Sequence, residues 1–257
     1  MQNFSRRKQN RGQVLIIASL IITMLIISTA IYVTETLNQI PTDKIESTTP
    51  FSIYKLGITH TVLSSLANIS NGGDESVLLT NLNQFKDAIT KNSFGTILDV
   101  KFTPLNDSSY TNGLRISSNS SEKAISSICV SFALNSTSPS SRSYFEHAIN
   151  VSTEIELNGS YIQLNETNKQ VNLTCKVLNE GNPAKAQLFN ISYSTDESNQ
   201  NREWTPVENS ETVDHGNGTY TLTFIIDNSS QNSLFVSIFC LDTRGILVKA
   251  IVECPQT

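Results

Sequence analysis

The sequence has few of the residues from which metal centres and catalytic sites are built. Its three histidines, His60, His147 and His215, lie far apart, and none has a cysteine or acidic residue at a spacing typical of a metal site. The chain also lacks a glycine-rich phosphate loop and the Gly-x-Ser-x-Gly and His-Glu-x-x-His motifs. We therefore expect no enzyme and no metal or cofactor, although residues distant in sequence can still assemble a catalytic site.

Basic residues are clustered only at the N-terminus. Four of the 18 Lys and Arg residues, Arg6, Arg7, Lys8 and Arg11, precede residue 12, whereas all 23 Asp and Glu residues follow residue 33. The later part of the chain thus has 14 basic residues against 23 acidic ones, a net charge of −9, and its basic residues are scattered. Nucleic acid is excluded as an expected partner, because binding it needs clustered Lys and Arg.

Long apolar runs are also rare, with one exception. Val14–Val33 contains twenty residues without a charge, and a helix of that length crosses the hydrocarbon core of a bilayer, which is about 30 Å thick. The sequence predicts a transmembrane helix over residues 13–34. The basic residues before it predict a cytoplasmic N-terminus, an extracellular remainder and a single pass through the cell membrane. The alternative is a removable secretory signal, for which Ser28-Thr29-Ala30 matches a cleavage site only loosely.

Asn-x-Ser/Thr triplets are abundant after the apolar segment. They are candidate N-glycosylation sites of an exported glycoprotein. Chance accounts for part of this number, but the asparagines fall in turns or on the polar parity of predicted strands. They are Asn68, Asn106, Asn119, Asn135, Asn150, Asn158, Asn165, Asn172, Asn190, Asn217 and Asn228.

The residues that follow the apolar segment predict a short linker and then an α+β domain. Pro41 and Pro50 interrupt any helix leaving the membrane, so residues 35–50 are predicted to be a linker. Apolar residues then recur at helical spacing in two segments between residues 51 and 95, and with a period of two over 98–102, 128–134 and 149–157. We expect residues 51–158 to form a membrane-proximal domain whose helices cover a sheet; a partner-binding groove between the helices is the alternative.

Beyond the Asn158-Gly159 pair, which is typical of a turn, only strands are predicted. Inward residues alternate over 171–177, 189–193 and 220–226, and Asp242-Thr243-Arg244-Gly245 predicts a hairpin turn between the last two strands. About a hundred residues with strands at this spacing predict an immunoglobulin-like β-sandwich over 159–257. The predicted fold class is thus a transmembrane helix after a basic leader (1–12), an α+β domain, and an all-β sandwich.

Four cysteines in an exported chain suggest disulfides, with three connectivities open. Cys175 and Cys240 share the inward parity of their strands, which favours a bridge between the two sheets. Cys129 and Cys254 are then left as an interdomain pair or as free thiols.

Two short motifs resemble known families. The segment DHGNGTYTLTF from Asp214 to Phe224 resembles the Gly-x-Gly-Thr-Tyr turn and strand of filamin-like and bacterial Ig-like surface modules, and the resemblance implies that Tyr220 enters the sandwich core. The basic leader ending in Arg11-Gly12, followed by Gln13 and the apolar run, resembles the class III signal of archaeal type IV pilins and archaellins. That resemblance implies cleavage between Gly12 and Gln13.

A pilin-type helix also implies polymerisation, but two features favour a membrane anchor over a polymerising rod. Many members of that family carry a glutamate where this chain has Ile17, and Pro41 ends the helix early. We therefore expect a non-enzymatic cell-surface protein of archaeal type that presents an Ig-like domain to protein or glycan partners, for adhesion or envelope structure. The alternative is an extracytoplasmic sensing or solute-binding subunit of a membrane complex, and the oligomeric state is left open.

Overall fold

Strands make up most of the described chain, and two helices precede them. The computed structural model describes residues 48–93, 96–117, 123–139, 141–196, 202–227 and 233–257, with side-chain surroundings from residue 51 onward. Helix α1 spans Thr48–Ser70 and helix α2 spans Val77–Lys91. The strands are β1 Ile97–Pro104, β2 Leu114–Ser117, β3 Lys123–Thr137, β4 Arg142–Gln163, β5 Asn168–Asn179, β6 Asn182–Pro183, β7 Ala186–Ser194, β8 Thr205–Pro206, β9 Glu211–Asp214, β10 Thr219–Asp227, β11 Leu234–Asp242 and β12 Leu247–Cys254.

The two helices each bury one apolar face. The chain turns between them at Gly72, which has φ +96°, and the Asp74 carboxylate accepts the Ser76 N–H at 2.7 Å. The buried side chains recur every three or four residues and pack on the sheet formed by β1 to β4, as the sequence predicts. They are Ile58, Val62, Leu66 and Ile69 in α1 and Leu78 and Leu82 in α2.

The strands described form two antiparallel sheets. The first has the order β1-β3-β4-β5-β10-β9, with β2 beside β3 and β6 beside β5, and the second has the order β12-β11-β7-β8. The helices pack on one part of a face of the first sheet, and the second sheet packs on another part of the same face. Ile149 and Val151 of β4 belong to the apolar cluster under the helices, whereas Ile155 and Leu157, on the same face of the same strand, belong to the cluster under the second sheet.

Part of the first sheet packs against the second sheet. Strands β4, β5 and β10 of the first sheet share one apolar cluster with β12, β11 and β7 of the second. The end of β4 also joins the end of the chain. The N–H of Tyr161 donates to the Pro255 carbonyl at 3.0 Å, and the Thr257 N–H donates to the Tyr161 carbonyl at 3.0 Å.

The three-part fold class predicted from the sequence is wrong. The leader (1–12) and the transmembrane helix predicted over 13–34 lie outside the described residues, and neither helix of the described chain is long and apolar enough to span a bilayer. The described chain is mostly β-sheet, and Phe51–Thr257 is one compact unit. The last residues of the linker predicted over 35–50 are helical, because α1 begins at Thr48.

The boundary predicted between 51–158 and 159–257 falls inside a continuous strand. Asn158 and Gly159 both lie in β4 and pair with Thr174 and Leu173 of β5. A Cβ atom on Gly159 would lie 2.5 Å from the Cys254 sulfur and 2.6 Å from a Leu173 methyl carbon. The glycine therefore allows the second sheet to approach closely rather than making a turn.

Candidate functional site: the open edge of strand β4

Among the described strands, none lies beside one side of β4 over half of its length. The strand pairs with β3 from Arg142 to Glu156, but with β5 only from Thr153 to Gln163. Alternate residues of a strand direct their backbone groups to opposite sides, and Ser152 exchanges bonds with Glu180 on the β5 side. The N–H and C=O groups of Tyr144, Glu146, Ala148 and Asn150 therefore point to this open side, which we call the open edge.

A partly buried polar network closes the open edge at Ser152. The Arg244 guanidinium donates to the Ser152 carbonyl at 2.8 Å, to the Thr153 hydroxyl at 2.9 Å and to the Glu180 carboxylate at 2.8 Å. The same Glu180 carboxylate accepts the Ser152 N–H at 2.9 Å. The open edge therefore ends at Ser152, where side chains occupy the β5 side of β4 and pairing with β5 begins.

Asp242 is the acceptor that Arg244 and Thr153 of this network share. Its carboxylate is fully buried and accepts Arg244 Nε at 2.8 Å and the Thr153 hydroxyl at 2.9 Å. It also accepts the backbone N–H groups of Arg244 and Ile246 at 2.8 and 2.9 Å, which shape the hairpin turn between β11 and β12. The turn itself is as the sequence predicts, but the network is not, because the local sequence identifies Asp242 and Arg244 only as turn residues.

A groove of about 430 Å³ runs beside the open edge. Leu63 of α1 and Ile149 and Val151 of β4 supply apolar lining, while His147, Glu180 and Arg244 supply polar lining. Burial, helped by the positive charge of Lys55, lowers the pKa of His147, which favours the neutral imidazole. Arg244 forms ion pairs with both Glu180 and Asp242, so these three groups together carry one net negative charge. The arrangement offers backbone donors and acceptors along one wall, which suits an extended peptide.

The structure does not bring the three histidines together. His60 is exposed on α1, His147 lines the groove, and His215 lies beside Thr221 at the β9–β10 turn. Within the described ranges no three His, Cys, Asp or Glu side chains are grouped as a metal site would need. The processing site predicted at Gly12 and Gln13 lies outside those ranges.

Nine of the predicted glycosylation asparagines lie in the described residues, and Asn119 and Asn228 lie outside them. Asn172 is half-buried and accepts the Thr223 hydroxyl at 3.2 Å. Asn135 and Asn158, predicted in turns, lie in β3 and β4. The other eight are exposed: Asn68, Asn106, Asn135, Asn150, Asn158, Asn165, Asn190 and Asn217.

Two of the four cysteines lie in the core between the two sheets. Cys175 and Cys240 are thiols buried in the cluster between the sheets, where burial raises the pKa of Cys175 to about 12 and also raises that of Cys240 beside it. A bridge between them stays a prediction.

The structure does not bring together Cys129 and Cys254, which the sequence leaves as a second pair or as free thiols. Cys129 pairs with Asn150 of β4, whereas Cys254 lies against Gly159. Nine residues of strand separate those two positions, about 30 Å.

No protein-family model matches this chain, and no curated protein sequence is similar enough to match it.

Proposed function

We propose that the chain is a non-enzymatic protein of the cell surface that works by contact, in adhesion or envelope structure. The apolar segment Val14–Val33 holds it at the membrane, with the basic residues before it in the cytoplasm and the β-rich body outside. The class III resemblance at Gly12-Gln13 supports a pilin-like origin for this anchor. The exposed Asn-x-Ser/Thr asparagines support a glycosylated outer surface.

The observation that carries the proposal is the open edge. Unpaired backbone groups on an edge strand form a template for another strand, and proteins that need no partner there usually block it with a bulge, a proline or a covering element. Alternate residues of β4 from Tyr144 to Asn150 direct their donors and acceptors to a side on which the described chain has no strand, and Ala148 and Asn150 also line the groove. Strand addition at this edge gives affinity through the main chain and specificity through the groove.

Ala148 allows a test at a single position. Ala148→Pro removes one N–H from the open edge without taking a bond from the β3–β4 ladder, and Ala148→Val keeps that N–H with a strand-favouring side chain. We expect cells displaying full-length Ala148→Pro to co-aggregate with unmodified cells roughly 5-fold less than the parent, since one hydrogen bond contributes about 1 kcal/mol. Ala148→Val should match the parent.

Protease added to intact cells should release the β-rich body of the protein. The amount released measures how much of each variant the cells display. Equal co-aggregation by both variants, or a body that protease cannot reach on intact cells, would contradict the proposal.

A second function, solute capture by a subunit of a membrane complex, is favoured by the groove itself. Its apolar lining belongs to the cluster under the helices, and His147, Glu180 and Arg244 also line it. If this function is correct, native mass spectrometry of the full-length protein extracted from its membrane should show a small molecule retained in stoichiometric amount. Leu63→Trp, which fills the groove, should release that molecule, whereas the exposed substitution Leu79→Trp on α2 should not. A bare parent protein contradicts this second function.

A further inference from the structure

The outer face of the second sheet carries an apolar surface that the proposed contact edge does not use. Phe189 and Ile191 of β7 and Ile238 and Cys240 of β11 point into the core, so the residues between them point outward. The outward side chains of β7, β11 and β12 include one that is 51% exposed, Leu188. The apolar members of this surface are Leu188, Phe235, Phe239, Leu241, Leu247 and Ile251.

One glycosylation triplet lies in the middle of this apolar surface. Asn190, of Asn190-Ile191-Ser192, is exposed on β7 and lies directly opposite Phe239 of β11. Phe239 in turn lies opposite Lys249 of β12, whose Nζ is 5.0 Å from the ring centroid. Directly opposite residues on one face have Cβ atoms about 5 Å apart. Asparagine, aromatic ring and lysine therefore form one row across three strands.

The adjacent row is entirely aliphatic. Leu241 pairs with Leu188 on one side and with Leu247 on the other. The other strand asparagines of such triplets have different neighbours: Asn158 lies opposite Thr174, and Asn150 opposite Cys129. Asn135 lies opposite Tyr144, whose hydroxyl is bonded to the Glu146 carboxylate at 2.7 Å. Among the described asparagines, Asn190 is the one placed beside both an aromatic ring and an aliphatic row.

We propose that a glycan attached to Asn190 lies over Phe239 and the adjacent aliphatic row and covers the outer face of the second sheet. The inference rests on the proposed cell-surface location, where an activated sugar phosphate is the donor. The Asn190 amide nitrogen forms a bond to C1 of the sugar as the bond from C1 to the phosphate oxygen breaks, and the amide proton passes to a base. No oxidation or reduction is involved.

Sugar chemistry suits this surface. One face of a pyranose ring presents C–H groups, which remove apolar area from water when they pack on an aromatic ring or on leucines. The hydroxyl groups at the rim stay in water, and one of them lies within reach of the Lys249 ammonium. The sugar covers Leu188, which is exposed, and half-buried apolar side chains beside it.

The test compares glycosylated and unglycosylated full-length protein. Peptide mass spectrometry determines which asparagines carry sugar, and thermal unfolding determines the effect. In glycosylated protein we expect Asn190→Gln and Ser192→Ala each to lower the Tm by about 2–4 °C, and the matched control Asn158→Gln to leave it unchanged. In protein from a host that does not glycosylate, neither Asn190→Gln nor Ser192→Ala should have an effect. In a Phe239→Thr background, Asn190→Gln should add nothing.

The outcomes separate this inference from the proposed function. Sugar on other asparagines with Asn190 bare, or an unchanged Tm in glycosylated Asn190→Gln, overturns the inference and leaves the surface location standing. Protein bare at every asparagine overturns both the inference and the glycosylated surface proposed above. A third result, a dimer that Lys249→Glu dissociates, would show that a second copy covers this face instead, because Lys249 and Glu253 lie two residues either side of Ile251 and can pair across a two-fold axis.

Discussion

Replacing Asp242 with alanine should lower the free energy of unfolding by about 3–5 kcal/mol, because it leaves a partly buried guanidinium without its buried partner. The substitution removes the acceptor of Arg244 Nε and of the Thr153 hydroxyl, and it removes the cap on two backbone N–H groups of the hairpin turn. Urea unfolding of the full-length protein in detergent measures the change. Asp242→Asn should cost less, since the amide oxygen still accepts some of these bonds.

Lys123→Ala is the matched control for that prediction. Lys123 forms an ion pair with Glu156 at 2.6 Å, but the lysine side chain is 65% exposed. A surface pair of this kind contributes at most about 1 kcal/mol. A cost for Asp242→Ala no greater than that for Lys123→Ala would show that the network contributes little to stability. Hydrogen exchange at the Ser152 amide gives a second reading, because loss of the network should expose this end of the open edge.

The second large effect is expected at Gly218. This glycine has φ +79°, and a Cβ atom there would lie 2.8 Å from the Val177 carbonyl oxygen and 2.9 Å from the Ala184 nitrogen. Gly218→Ala should therefore cost about 3–5 kcal/mol, from left-handed backbone strain of about 1–2 kcal/mol and the displacement of two backbone groups. The same carbonyl accepts the Ala184 N–H at 2.9 Å, so the displacement also weakens the connection between β5 and β7.

Gly216 provides the control within the same turn. It has φ +75°, close to that of Gly218, but a Cβ atom there would meet nothing within 4 Å. Gly216→Ala should cost only the strain, about 1–2 kcal/mol. Thermal or urea unfolding of the two variants separates strain from steric overlap. Equal costs for the two substitutions would mean that the Gly218 turn can move away from β5.

Local patterns in the sequence determined the elements and their faces. Alternation over 98–102, 128–134 and 220–226 predicts strands whose inward residues are buried, except for the half-buried Phe102, because a strand exposes and buries successive residues whatever lies beside it. The motif around Gly218 is another such case. Tyr220 enters the core as its resemblance implies, and its hydroxyl oxygen accepts the Ala186 N–H at 2.9 Å.

Tertiary structure alone decided how those elements are joined. The pair Asn158-Gly159 is typical of a turn, yet a glycine serves equally where another sheet approaches, and only the position of Cys254 distinguishes the two uses. The open edge of β4 depends on where β5 stops pairing, at Asn179. The network that closes it unites Glu180 with Arg244, 64 residues later. Periodicity reports which face of a segment is buried, but it carries no information about which other segment buries it, and that choice creates the candidate site.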